Sequence, residues 1–132
     1  MTLEDLKRKF IVDEDVLKTR LEALVEKALP FCVVGQNGFV HITAEGLSGK
    51  DRIKLALAAR ALASELMENT SAAISVSELS KMAGLPENQV RARCKDLVSE
   101  RYADSPARGT FRALPHKLES FLNALRTPDS ES

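Results

Sequence analysis

A chain of 132 residues, 44% apolar and 29% charged, holds enough apolar surface for one domain with a real core, or a small domain plus an extension. Its 19 Lys and Arg balance 19 Asp and Glu, which excludes a protein that coats nucleic acid by charge alone. Two isolated cysteines exclude a disulfide framework or a zinc site, and five Phe, one Tyr and no Trp leave a core of Leu, Val, Ile and Ala.

Thr2 opens a short helical segment, LEDLKRKF, with acids first and bases last, the order the helix dipole favours. This start lacks the apolar core of a secretory signal, and no apolar stretch approaches the ~18 residues of a membrane span. The expectation is a soluble cytoplasmic protein (nucleoid-associated in a prokaryote), with Cys32 and Cys94 as small buried hydrophobes. Asp13 is placed to cap a second helix running to about Leu29, where Pro30 stops it. Leu17, Leu21, Leu24 and Ala28 follow 4-3-4 spacing, with Val16 and Val25 alongside. Such a stripe must be buried against the rest of the chain or against a second copy. Fewer than two heptads is too short for a free-standing coiled coil, so docking within the chain is expected.

Phe31 to Ile42 reads as a hairpin turning at Gln36-Asn37-Gly38, because both residues of an Asn-Gly pair tolerate positive φ. His41, between two apolar residues of the second strand, is expected to face solvent, with no second metal ligand near it. Then comes EGLSGKDRIK, residues 45–54. Its Gly49-Lys50 suggests a phosphate-binding loop, but that motif needs a glycine where Ala44 stands and a hydroxyl where Asp51 stands. Ser48 with Asp51 three residues on is instead an acidic capping box, opening a helix over residues 50–67. Ile53, Leu57, Leu62 and Leu66 recur on one side of that helix, and Leu55 with five alanines widens the buried surface. Residues 68–73, ENTSAA, are a loop, and TPDSES at the end has the composition of a disordered tail, residues 127–132.

From Ile74 the pattern becomes more specific. Ser75 or Ser77 caps a short helix with Val76, Leu79, Met82 and Ala83 apolar, ended by Gly84. Leu85 packs inward, Pro86 fits the first turn of the next helix, and Val90, Cys94, Leu97 and Val98 form its stripe. Two helices joined by a short glycine-containing turn are a helix-turn-helix unit. Tyr102-Ala103 starts a strand, DSPARG turns, Thr110 to Leu114 returns, and Pro115 opens a last helix with Leu118, Phe121, Leu122 and Leu125 apolar.

With the turn Ala83-Gly84-Leu85-Pro86, the run Gln89-Val90-Arg91-Ala92-Arg93-Cys94 and the segment ARGTFR, residues 48–126 resemble the winged helix-turn-helix superfamily of transcription regulators. The fold class expected is mainly α with small β: a winged-helix domain at 48–126 preceded by a helical and β-hairpin extension at 1–47. Arg101 departs from the glycine such regulators often carry after the second helix, and Cys94 from the more usual Leu.

The resemblance implies double-stranded DNA as partner, with helix 86–100 in the major groove and a wing at 102–114 on the backbone or minor groove. Asn88, Gln89, Arg91, Ala92, Arg93 and Lys95 would lie on the outward face of that helix, where Asn, Gln and Arg can read base edges, while Arg108, Arg112, Lys81 and Lys95 would hold phosphates. Residues 86–112 carry 6 bases against 4 acids, a weak excess for such a face. Superfamily members also dimerise through helices outside the motif, so a homodimer through residues 13–29, the hairpin or residues 48–67 is expected. The neutral balance, acidic N-terminal arm and leucine stripe fit an alternative, a protein-docking module using the extension. No paired nucleophile and base, no metal spacing and no cofactor motif point to an enzyme.

Overall fold

Hydroxyl side chains start the helices where the sequence places them. In α1 (Leu3–Phe10) the Asp5 amide donates to Thr2 Oγ1 at 3.2 Å and the Thr2 amide to Asp5 Oδ2 at 3.3 Å, a complete capping box. The computed structural model describes residues 2–11 and 15–125, so an Asp13 cap and the 127–132 tail lie outside the described residues. The helix expected over 13–29 is two pieces, α2 (Val16–Thr19) and α3 (Leu21–Ala28). The Thr19 hydroxyl turns back onto the Asp15 and Val16 carbonyls, a bonding pattern that bends helices, and the break follows at Arg20.

Strands β1 (Cys32–Val34) and β2 (Val40–Ile42) pair antiparallel with Val34 opposite Val40. The turn between them falls on Gln36-Asn37-Gly38 as expected, but Asn37 and Gly38 do not both take positive φ. Gly35 pairs with Phe39 around a three-residue loop in which Gly38 alone takes positive φ, 84°. Asn37 accepts the Phe39 amide with its side chain instead of taking that conformation itself.

Ser48 then caps α4 (Gly49–Leu66), accepting from the Asp51 amide at 3.1 Å. Only this half of the predicted capping box is made, and Asp51 otherwise serves the helix dipole. Helix α4 is the centre of the molecule, with Ile53 and every residue from Leu55 to Ala63 buried. Strand β3 (Ile74–Ser75) and α5 (Val76–Ala83) follow, with Ser75, not Ser77, as cap. Gly84, φ 67°, ends α5 in the left-handed conformation, and the Gly84 and Leu85 amides both donate to the Ser80 carbonyl. Pro86 stands as the residue before α6 (Glu87–Ser99) rather than inside its first turn.

Arg101 resolves the departure noted in the sequence by taking φ 62° itself. Its amide reaches the Val98 carbonyl and the Tyr102 amide the Leu97 carbonyl, the paired bonds that close a helix on a left-handed residue. Strands β4 (Ala103–Asp104) and β5 (Thr110–Ala113) follow, then a 3-10 turn at Pro115–Lys117 and α7 (Leu118–Ala124). The second sheet has the order β3-β5-β4, all antiparallel, with Ile74 opposite Phe111 and Asp104 opposite Arg112. The chain is thus mainly helical with small antiparallel sheets.

One apolar cluster runs from Leu17 through Leu24, Val40, Ile53, Ile74, Val90 and Leu97 to Leu125. Leucines 17 and 24 are buried within the chain, and Arg20 forms an ion pair with Glu119 of α7. Val98, expected in the α6 stripe, is instead exposed; it lies about 100° around the helix from Leu97, past the edge of the stripe centred on Val90. No helix among the described residues is long and apolar enough to cross a membrane.

Candidate nucleic-acid interface

Helix α6 is held by one face. Val90, Cys94 and Leu97 are fully buried against the core, and this leaves Glu87, Asn88, Gln89, Arg91, Ala92 and Lys95 exposed. The turn before it is seated on the start of α4: a Cβ at Gly49 would lie 3.1 Å from Leu85 Cδ1 and 3.6 Å from Gln89 Nε2. The glycine of the Gly49-Lys50 pair thus serves close packing with the α5–α6 turn. The strand preceding it is half of an antiparallel hairpin.

The cations predicted for this face are in two electrostatic states. Arg91 lies 3.6 Å from Glu87 one turn back, and Arg93 lies 3.4 Å from Asp96. Arg93 is half-buried, with its Nε enclosed and without a hydrogen-bond partner, so only part of its side chain faces outward. Arg112 on β5 grips Asp104 on β4 through Nε to Oδ1 at 2.7 Å and Nη2 to Oδ2 at 3.1 Å. Those hydrogen bonds, and then the charge of Asp104, raise the Arg112 pKa above its ordinary value. Lys81 on α5, Lys95 on α6 and Arg108 in the β4–β5 turn are exposed and lie in no ion pair among the described residues.

The polar amides are partly used locally. Asn88 Oδ1 accepts the Gln89 amide at 2.9 Å, which leaves its NH₂ group to face out. The β4–β5 turn is short and tied. Ser105 Oγ lies 2.8 Å from the carbonyl oxygens of both Ala107 and Thr110, Thr110 Oγ1 donates to Ala107, and Gly109 takes φ 75°. The turn thus presents Arg108 from a fixed backbone.

Three features escaped the sequence reading. Arg60, in the middle of the alanine run, is 8% exposed and donates to the Ser71 and Gly38 carbonyls. Its signal was one cation inside an otherwise apolar stretch from Leu55 to Ala63. Lys54 sits 4.7 Å from the ring centres of both Tyr102 and Phe121, and Tyr102 donates its hydroxyl to the Lys54 carbonyl at 2.8 Å. Burial lowers the Lys54 pKa, and Lys50, bonded to Glu100 at 2.7 Å, lowers that of Glu100. Helix start and helix end, α4 and α6, are thus joined at one side of the molecule.

Both cysteines are buried, and burial raises each thiol to about 11. At neutral pH neither is a thiolate, the form needed for nucleophilic or metal chemistry. Among the described residues no cluster of His, Cys, Asp and Glu could hold a metal ion. No family model matches the chain, and no curated protein or solved structure is significantly similar to it.

Proposed function

We propose that residues 48–126 are a winged helix-turn-helix domain that binds double-stranded DNA as a homodimer. Helix α6 enters the major groove, and the β4–β5 hairpin is the wing on the backbone or minor groove. The observation that carries this proposal is the order α4-β3-α5-α6-β4-β5 with β5 between β3 and β4. In that arrangement α6 gives one face to the core and leaves its polar face free of the rest of the chain.

The charge pattern sets the character of the contact. With Arg91, Arg93 and Arg112 each beside a carboxylate, Lys81, Lys95 and Arg108 carry the phosphate attraction. Binding then depends on base edges and groove shape more than on counterion release, and its salt dependence is shallow. The test is enrichment of random duplex DNA on the full chain at ~100 mM salt, where charge-only binding is already weakened. Recovery of one shared sequence supports the proposal; an unenriched pool overturns it.

The same neutralised arginines favour a second reading, a protein-docking module that uses α6 or the hairpin as its contact. An unenriched pool together with no shift of any duplex at low salt would leave that reading in place.

A further inference from the structure

Helix α1 has eight residues, a complete capping box and no buried side chain. Leu3, Leu6 and Phe10 stand three and four residues apart, which puts them on one face, and Phe10 is 86% exposed. A helix of this length is below the roughly 12–15 residues at which isolated helices become even marginal in water. Its stripe is therefore an unfilled contact: local caps hold the helix, and apolar docking is the stabilisation it lacks.

The same chain carries a groove of about 230 Å³ between α3, β1 and the end of α4, lined by no residue of α1. Val25, Leu29, Val33, Leu66 and Met67 wall it over a floor of alanines. Leu29 and Leu66 are 57% and 60% exposed, unusual for leucines on either side of an open apolar trough. Glu22 and Glu26, both exposed, sit on α3 within one turn of Val25 and Leu29, and exposed Glu68 follows Met67. The rim is acidic, whereas the last turn of α1 carries Lys7, Arg8 and Lys9.

Ridge and groove thus match in polarity and oppose in charge, yet in a single chain α1 stands clear of the groove. We propose that α1 of one copy docks in the α3–β1–α4 groove of a second copy, and the reverse, making an arm-exchanged dimer. One eight-residue helix in one groove falls short of the ~1,200 Å² of a stable interface, and two-fold exchange doubles the contact. The proposal takes the two-copy assembly from the DNA-binding reading and assigns it a surface; it does not need the DNA contact.

The test is the mass of the full chain by sedimentation equilibrium without DNA, for the wild type, Phe10→Glu and Leu29→Glu. Both positions are exposed, so each variant keeps the helical circular dichroism and thermal transition of the parent. The wild type sediments as two chains. Each contact occurs twice per dimer, so a tenfold loss per contact weakens the dimer ~100-fold in either variant. Phe10 and Leu29 belong to the same contact, which is already lost when either is charged, so an equimolar mixture of the two variants regains one sound arm in one sound groove and associates about tenfold more tightly than either alone. A wild type that stays at single-chain mass up to ~100 µM overturns the proposal, whether its arm is free or folded on its own groove. So does a folded variant with undiminished association, or a mixture no tighter than its parts. Failure of DNA enrichment leaves this result unchanged, since the mass is read without DNA.

Discussion

The guanidinium of Arg60 on α4 donates from Nη1 to the carbonyl oxygen of Gly38 in the β1–β2 turn, 3.0 Å away. Its Nε donates to the Ser71 carbonyl at 2.7 Å, and Nη1 also approaches Glu78 of α5 at 3.4 Å. One side chain thus ties a hairpin, a loop and a helix to the central helix. Glu78 is half-exposed, so the two carbonyls are the main partners. Arg60→Met keeps the volume and strands both carbonyls, which costs about 2–4 kcal/mol of stability and lowers the urea midpoint accordingly. Arg60→Lys recovers little, because an ammonium lacks the planar fork that spans both acceptors. A midpoint unchanged in Arg60→Met would show that the carbonyls find water instead.

Two left-handed residues end consecutive helices, one a glycine and one an arginine. A side chain on Gly84 meets nothing within 4 Å, so Gly84→Ala isolates backbone strain and lowers stability by about 1 kcal/mol. Arg101→Gly relieves the same strain at the end of α6 and raises stability by about 0.5–1 kcal/mol, part of the gain being offset by a freer unfolded chain. Opposite shifts in denaturant midpoint at constant slope are the expected result. Shifts of the same sign would mean that the Arg101 side chain contributes packing that outweighs its φ.

On the DNA-binding proposal, the acids of α6 restrain its arginines. Glu87→Gln frees Arg91 and removes a like charge from the phosphates, so affinity rises severalfold. Lys95→Ala and Arg108→Ala each weaken all sequences alike and flatten the log–log salt slope by about one unit. Arg91→Ala instead relaxes preference at one base pair, at about 1–3 kcal/mol of discrimination. Fluorescence anisotropy on the enriched duplex and its point variants separates these outcomes.

Alkaline pH destabilises the fold, because three buried acids must ionise. Burial raises Cys32 and Cys94 from 9.0 to about 11, and raises Tyr102 well above its ordinary value. In the native state these groups keep their protons while the unfolded chain loses them. The contribution of the two cysteines is therefore complete below pH 9.0 and is lost as pH rises through about 11, and that of Tyr102 is lost at higher pH than its ordinary titration. Cys94→Val keeps an apolar side chain, removes one titrating group and makes that loss shallower. Thermal midpoints measured from pH 7 to pH 11 give the slopes, and equal slopes would mean the Cys94 thiol ionises alike in both states.

Much of the fold was legible because its decisive signals are local. Thr2, Ser48 and Ser75 cap helices through bonds that reach only three residues, and Gly84 ends one through its own φ. The burial of Leu17, Leu24 and both cysteines follows from apolar spacing. What the sequence hid depends on partners distant along the chain. Arg60 reads as a surface cation until the Gly38 and Ser71 carbonyls are brought to it. Arg112 was read as free for phosphate because its pairing with Asp104 exists only in the β4–β5 register. The Glu87–Arg91 pair was within reach of sequence reasoning, since it follows the four-residue helical spacing. Val98 was misjudged because a stripe of Val90, Cys94 and Leu97 is narrow, and its edge is set by how α6 tilts against its neighbours.

Helix α4 also determines where this protein tolerates a change in length. With every position from Leu55 to Ala63 enclosed, it has no spare side to turn outward. Adding or deleting one residue there would rotate all that follows by about 100°, presenting Arg60 and each alanine to the wrong neighbour. The 68–73 loop and the tip of the β4–β5 turn carry no such helical phase, so a one-residue insertion in either is expected to cost less stability than one within α4.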